Sequence, residues 1–256
     1  MDTAIRDRTD KSKCDTPVIE ARGLSFAYAG SPGAYVLKDL DLLVNRGECM
    51  AVLGESGSGK TTFLKLLCGL LRPLEGQLLF NGKPLTKPEE GIAMIFQNYG
   101  LFPWKTVEEN VILPALIRGK RPEKKEIGEL LSYLGLSLHA GKYPSELSGG
   151  QRQRTALGRA VMSKASLILM DEPFSALDIR NRERLQRFMK DFLRDMQMSA
   201  VIVTHSIEEA MIMGDRVAVF DPAAGNIREF FSGCREKEEL GPADFETMQA
   251  IRKHLL

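Results

Sequence analysis

The run Gly54-Glu55-Ser56-Gly57-Ser58-Gly59-Lys60-Thr61 follows at once on a continuously apolar stretch, Cys49 to Leu53. Such a stretch reads as a strand covered on both faces. Thr61 to Leu71 then reads as a helix, stopped by Pro73. A glycine-rich turn between a buried strand and a helix commits the chain to layered α/β architecture and offers bare backbone N–H groups to a phosphate. Gly57 and Gly59 let the backbone wrap that phosphate closely. Lys60 brings a point charge to the β and γ phosphates of a nucleoside triphosphate, and the Thr61 hydroxyl suits Mg²⁺. Thr62 stands between two readings, ordinary helix and a further nucleotide contact.

The remaining pattern extends this architecture. Val18 to Tyr28 and Tyr35 to Val44 alternate apolar and polar residues, as half-buried strands do. Gln77 to Phe80 and Lys83 to Leu85 flank Asn81-Gly82, the signal for a hairpin with a type I′ turn. Gly91 to Gln97, Leu167 to Met170, Ala200 to Thr204 and Arg216 to Phe220 read as further strands, with a charged amphipathic helix over Ile179 to Met196. Strands alternating with helices imply a parallel sheet with helices on both faces. From about residue 98 to 162 the pattern is helical, as in an inserted lobe. Residues 1–16 read as a disordered tail, 17–233 as the main body, and 234–256 as a short tail, helical near its end.

Across 256 residues the net charge is +1, which gives no case for a nucleic-acid partner. The four cysteines form no CxxC pair, so reduced thiols in a cytosolic protein are expected. No apolar run reaches the roughly 18 residues that span a bilayer. The start is polar and lacks the apolar core of a signal peptide. Membrane association is therefore expected only through a partner. The basic run Arg118-Gly119-Lys120-Arg121 reads as a solvated loop or, alternatively, a contact for lipid headgroups.

Leu167-Ile168-Leu169-Met170 ends in Asp171-Glu172-Pro173. Strand C-termini meet the ligand in an open parallel sheet. Asp171 is then placed to reach Mg²⁺ and Glu172 to polarise an attacking water. Leu147-Ser148-Gly149-Gly150-Gln151 opens a helix with an N-cap serine, a second surface suited to phosphate.

These segments, with Ser175-Ala176-Leu177-Asp178 and His205 after a buried strand, resemble together the ATP-binding subunits of ABC transporters over roughly residues 18–233. The resemblance implies a P-loop nucleotide hydrolase with a mainly parallel sheet, an N-terminal antiparallel β subdomain and an inserted α-helical lobe. It implies ATP and Mg²⁺ as ligands, with Gly54, Glu55, Ser56, Gly57, Ser58, Gly59, Lys60 and Thr61 around the phosphates. Tyr28 resembles the aromatic that stacks on adenine, the alternative being a strand-end tyrosine with a wet hydroxyl. Gln97 resembles the glutamine that touches Mg²⁺ and the attacking water. His205 resembles the switch histidine that contacts the γ-phosphate and orients Glu172, and Asp178 the dimer-contact aspartate. Ser148, Gly149, Gly150 and Gln151 would serve the ATP bound by a second, head-to-tail copy or homologous ATPase. His139 and His254 are read as structural, and Cys68 and Met162 as core filling.

The segment from Leu101 to Val107, the run Asp171 to Asp178 and the chain length resemble importers of the nitrate, sulfonate and taurine group. That resemblance implies a separate integral membrane permease, docked on the lobe at the cytoplasmic face of the membrane, and indirectly a solute-binding protein. Phe102 and Trp104 read either as permease contacts or as packing within the lobe. An exporter's ATPase and a soluble, non-transport ABC ATPase stay open as alternatives.

Overall fold

The computed structural model describes residues 17–29, 34–55, 57–175, 177–237 and 240–255. The expected disordered tail 1–16, and Ser56 of the glycine-rich loop, lie outside the described residues.

Two sheets carry the fold. A four-stranded antiparallel sheet has the order β2–β1–β4–β5, with β1 at Ile19–Phe26, β2 at Leu37–Val44, β4 at Glu75–Phe80 and β5 at Lys83–Pro84. Asn81 and Gly82 both have positive φ, 49° and 74°, as the type I′ turn between β4 and β5 requires. A six-stranded sheet comprises β3 (Cys49–Leu53), β6 (Ile92–Ile95), β7 (Leu167–Asp171), β8 (Ser199–Thr204), β9 (Arg216–Asp221) and β10 (Asn226–Ser232). Its order is β10–β9–β3–β8–β7–β6, parallel throughout except for the antiparallel edge strand β10.

The central strands are apolar without alternation because each face has its own cover. Ile168 and Met170 point into a core shared with the helical lobe, while Leu167 and Leu169 point the opposite way, into a core shared with the antiparallel sheet. That division follows from the two-residue period of a strand. The helices are α1 (Lys60–Leu67), α2 (Val107–Ile117), α3 (Lys124–Tyr133), α4 (Gly149–Met162), α5 (Ile179–Asp195), α6 (Ile207–Met213) and α7 (Pro242–Leu255). The lobe is α2 to α4, and Cys68 and Met162 are core residues as read from the sequence.

The structure departs from the sequence reading in five places. Helix α1 ends at Leu67 rather than Leu71. Gly69 takes φ 74° and donates to the Leu66 carbonyl, and Leu70 N–H reaches back to Lys65, a Schellman closure that stops the helix before Pro73 is met. Arg118 is not merely a solvated base: its guanidinium donates to the carbonyls of Met162 and Ser163, at 2.5 and 2.9 Å, capping the C-terminus of α4. Strand β10 and helix α6 were not expected at all. Helix α7, finally, is more than a short tail. Met248 and Ile251 are buried with Met211 and Val217 in a third core against β3 and β9.

Ile251 is fully buried whereas Phe245, on the same helix, is 53% exposed. Ile251→Ala is expected to destabilise the chain by about 3 kcal/mol and Phe245→Ala by no more than about 0.5 kcal/mol in urea unfolding. Equal effects would contradict the packing of α7.

Candidate nucleotide site

Three neighbouring strands of the large sheet end together. Leu53 of β3 is in register with Thr204 of β8, and Val203 of β8 with Asp171 of β7. The glycine-rich loop leaves β3, the acidic pair leaves β7, and His205 leaves β8. Residues far apart in sequence thus meet along one sheet edge.

In the loop, Gly57 and Gly59 take φ 81° and 100°, conformations closed to most side chains. At Gly59 a Cβ would also stand 2.8 Å from Val36 Cγ1. Lys60 folds back over the loop. Its ammonium donates to the Gly54 carbonyl at 2.9 Å, to the Ser58 hydroxyl at 3.1 Å and to the Glu55 carbonyl. Burial pulls the Lys60 pKa below its usual value, and the carboxylates of Glu172, Asp171 and Glu55 act in the opposite sense. The cation is thus fixed at the loop by weak neutral acceptors that a phosphate can outcompete.

Around this loop the expected residues come together. The Thr61 hydroxyl donates to Asp171 Oδ2 at 2.8 Å. Gln97 Nε2 donates to Glu172 Oε2 at 3.3 Å and to the Ser175 hydroxyl at 3.4 Å. Phe96, Gln97, Asn98 and Asp171 line one cleft of about 370 Å³. His205 Nδ1 lies 3.1 Å from Glu172 Oε1, so that nitrogen carries the proton when the glutamate is ionised. Glu172 has φ 45°, a left-handed conformation that is strained for a glutamate. Its N–H donates to the Val203 carbonyl at 2.9 Å, which locks the strained turn onto β8.

Tyr28 is 46% exposed, packs edge-on against Phe26, and its hydroxyl bonds Thr62 Oγ1 at 3.0 Å. That bond settles Thr62 against the tyrosine, on the buried side of α1.

The second phosphate-type surface stands apart. Ser148 caps α4: its hydroxyl accepts from Gln151 N–H at 3.3 Å, and Gln151 Oε1 accepts from Ser148 N–H at 2.9 Å. Gly149 packs against Leu177, whose Cδ2 lies 2.8 Å from the position a Cβ would take, whereas Gly150 faces open space. Among the described residues no hydrogen bond joins Ser148–Gln151 to the glycine-rich loop. Asp178 likewise caps its own helix, α5, accepting from Asn181 N–H at 3.1 Å and Asn181 Nδ2 at 2.6 Å. Those bonds, the backbone one foremost, hold its pKa below the usual carboxylate value.

His139, read from the sequence as structural, makes a structural contact, its Nε2 2.9 Å from Gln151 Nε2. One residue without an assigned role in the sequence reading joins the site. Ser175 bridges Gln97 and the Glu172 carbonyl, the latter at 3.0 Å. Ser175 could have been suspected from its place three residues after Glu172. No sequence pattern marks His139.

The sheet order, the loop and the acidic strand end define a P-loop nucleoside triphosphatase with a helical insertion. The ABC transporter family matches residues 37–175. The chain is 37% identical to the nitrate import ATP-binding protein NrtD of Synechocystis, over 90% of this chain and 85% of that one. It is 38% identical to the taurine import ATP-binding protein TauB of Sinorhizobium fredii, over 80% and 78%. The dimeric post-hydrolysis structure of the ATP-binding cassette MJ0796, bound to ADP and Pi, superposes with a TM-score of 0.73 at 27% identity, covering 84% of this chain and 98% of that one. The chain belongs to the ABC transporter family: it is an ATP-binding, ATP-hydrolysing subunit of such a transporter.

Tyr28→Ala is expected to weaken adenine-nucleotide affinity by about tenfold, the scale of one base–aromatic stack. Tyr28→Phe should change it by less than about twofold, since the hydroxyl serves Thr62. A fluorescent-nucleotide titration checks both. Equal losses would assign the effect to the hydroxyl instead of the ring.

Proposed function

We propose that this subunit powers import of a small solute of the nitrate, sulfonate and taurine kind. The nitrate and taurine import functions of the relatives support that reading. So does a helical lobe presenting Phe102 and Trp104, ring centres 5.6 Å apart, with Trp104 69% exposed. Asn110 anchors this segment from below, its side chain bonding Phe102 N–H and the carbonyls of Phe102, Lys105 and Thr106. A permease's cytoplasmic segment would seat there, on a lobe running from about residue 98 to 162. Residues 17–233 form the ATPase body in this reading and 234–256 a C-terminal segment. No helix among the described residues is long and apolar enough to cross a membrane. The subunit would therefore sit peripherally at the cytoplasmic face of the membrane, held by the permease, and serve a solute-binding protein only indirectly.

For the chemistry, Gly54–Thr61 and Lys60 hold the phosphates of ATP and Tyr28 takes the adenine. The oxygen donors of Thr61 and Asp171, already 2.8 Å apart, suit a hard cation, with Gln97 at the same cleft. Mg²⁺ bound there would neutralise phosphate charge. Glu172 accepts a proton from water as the water oxygen bonds to the γ-phosphorus and the β–γ bridging oxygen departs with ADP. Gln97 and His205 hold the Glu172 carboxylate by its two oxygens, so it meets the water in one orientation. The observation that carries the proposal is this convergence of Thr61–Asp171, Gln97–Glu172 and Glu172–His205 on one edge.

The far side of the γ-phosphate needs further donors, and among the described residues Ser148–Gln151 makes no hydrogen bond to the loop of its own chain. A second, head-to-tail copy, or a homologous ATPase, supplies them through Ser148, Gly149, Gly150 and Gln151, with Asp178 near the partner's loop. Ser148→Arg should leave ATP affinity within about twofold and lower turnover about a hundredfold. Equal loss of binding and turnover would count against a role in trans. Glu172→Gln should accumulate an ATP-bound dimer on gel filtration. Near-normal hydrolysis by that variant would remove Glu172 from the role of base.

A further inference from the structure

We propose that Arg182, Glu209 and Thr204 act as one positioning relay for His205, tying the histidine to the loop that precedes Asp178. The inference rests on the roles of His205 and Glu172 proposed above, and names three side chains that set their geometry.

The relay begins at Leu177, the residue packed on Gly149 at the start of the Ser148 helix. Its carbonyl accepts from Arg182 Nη2 at 3.2 Å. Arg182 Nε, buried and with no hydrogen-bond partner among the described residues, stands 3.6 Å from Glu209 Oε1. Glu209 is 6% exposed, and its other oxygen accepts from the Thr204 hydroxyl at 2.6 Å. Thr204 Oγ1 in turn accepts from Ser206 N–H at 3.1 Å, and Ser206 Oγ accepts from Glu209 N–H at 3.3 Å. Both neighbours of His205 are thereby pinned to one glutamate. The Thr204 carbonyl also accepts from Gly54 N–H at 3.3 Å, so the same residue braces the start of the phosphate loop.

A structural purpose alone does not explain these residue types. A buried carboxylate is unfavourable unless paired, and apolar side chains of similar size would fill the space at no electrostatic penalty. What a charged, hydrogen-bonded chain adds is direction. The short bond from Thr204 fixes the glutamate, the glutamate fixes the turn, and the turn aims His205 Nδ1 at Glu172. The arginine limb is looser, at ion-pair distance only. A shift of Leu177 toward or away from α6 therefore changes the pull on Glu209 and, through it, the aim of the histidine. Packing of the Ser148 helix reaches the histidine by this route, through side chains outside the phosphate loop.

The test uses the full chain with ATP and Mg²⁺. Glu209→Gln keeps shape and removes the charge facing Arg182. Thr204→Val removes the hydroxyl limb, and Thr204→Ser restores it. Glu209→Gln and Thr204→Val are each expected to lower kcat about tenfold, with KM and nucleotide affinity within about twofold. Thr204→Ser should keep at least about half of wild-type kcat, and the double variant should lose no more than the worse single one. The His205 ring resonances should shift in both loss variants. Unchanged kcat in folded Glu209→Gln, parallel loss of kcat and affinity, additive losses, or failure of Thr204→Ser to rescue would overturn the relay. If Thr204→Val does not fold, Glu209→Gln decides. His205→Ala, assayed alongside, separates the two levels. Retained turnover there would sink the site assignment and the relay with it, while loss there beside unaffected relay variants would sink the relay alone.

Discussion

Backbone pairing of β3, β8 and β7 is the interaction from which the catalytic geometry follows. The register Leu53–Thr204 and Val203–Asp171 ends three strands at one level. Each strand then releases a different kind of group: a glycine loop, a carboxylate pair, an imidazole. Parallel pairing makes this possible because all C-termini point the same way, and it obliges helices to cross both faces. The two cores on either face therefore support the site as well as the fold. The bond from Glu172 N–H to Val203 holds a strained φ in place, using sheet stability to fix the orientation of one carboxylate.

In the proposed reading the same architecture leaves the site to be completed by a second chain. Lys60 bonded within its loop, the pair Thr61–Asp171 and the set Gln97–Glu172–His205 gather at the same strand ends, while the serine-capped helix α4 and Asp178 spend their polar atoms on their own helix starts. An N-cap serine with a capping box is a rigid presentation of backbone donors. Such a surface is useful to an anion only if the anion arrives from outside the chain. Gly150 keeps that approach clear, and Gly149 lets the helix start lie against Leu177.

Much of this was legible from residues alone, for identifiable reasons. The loop at Gly54–Thr61, the strand ends at Asp171 and Thr204, and the Asn81-Gly82 turn are local signals whose chemistry does not depend on distant neighbours. The central strands were legible because burial on both faces leaves no alternation to misread. The premature end of α1 was not, since Gly69 closes the helix through a φ that glycine permits but does not announce. Strand β10 carries no clear pattern because an edge strand has one partner and mixed exposure. Arg118, Arg182 and Glu209 are not legible in the sequence because their contacts are tertiary: Arg118 meets residues 44 and 45 positions away, and a charged residue on a helix reads as a solvated face until its partner is seen. For Tyr28 the residues leave both a stacking ring and a wet hydroxyl open, and the bond of that hydroxyl to Thr62 needs the fold.

The central claim is that each hydrolytic site is built from two chains. Complementation tests it most directly. Ser148→Arg lacks the donated helix but keeps its own loop and Glu172, whereas Glu172→Gln keeps the helix and lacks the base. Each preparation alone should turn over ATP at least about a hundredfold more slowly than the wild-type chain. Mixed, they form a heterodimer with one intact composite site, and phosphate release should reappear and rise with the concentration of the second variant. A mixture as silent as its components, or a Ser148→Arg chain that hydrolyses ATP by itself, would contradict the account.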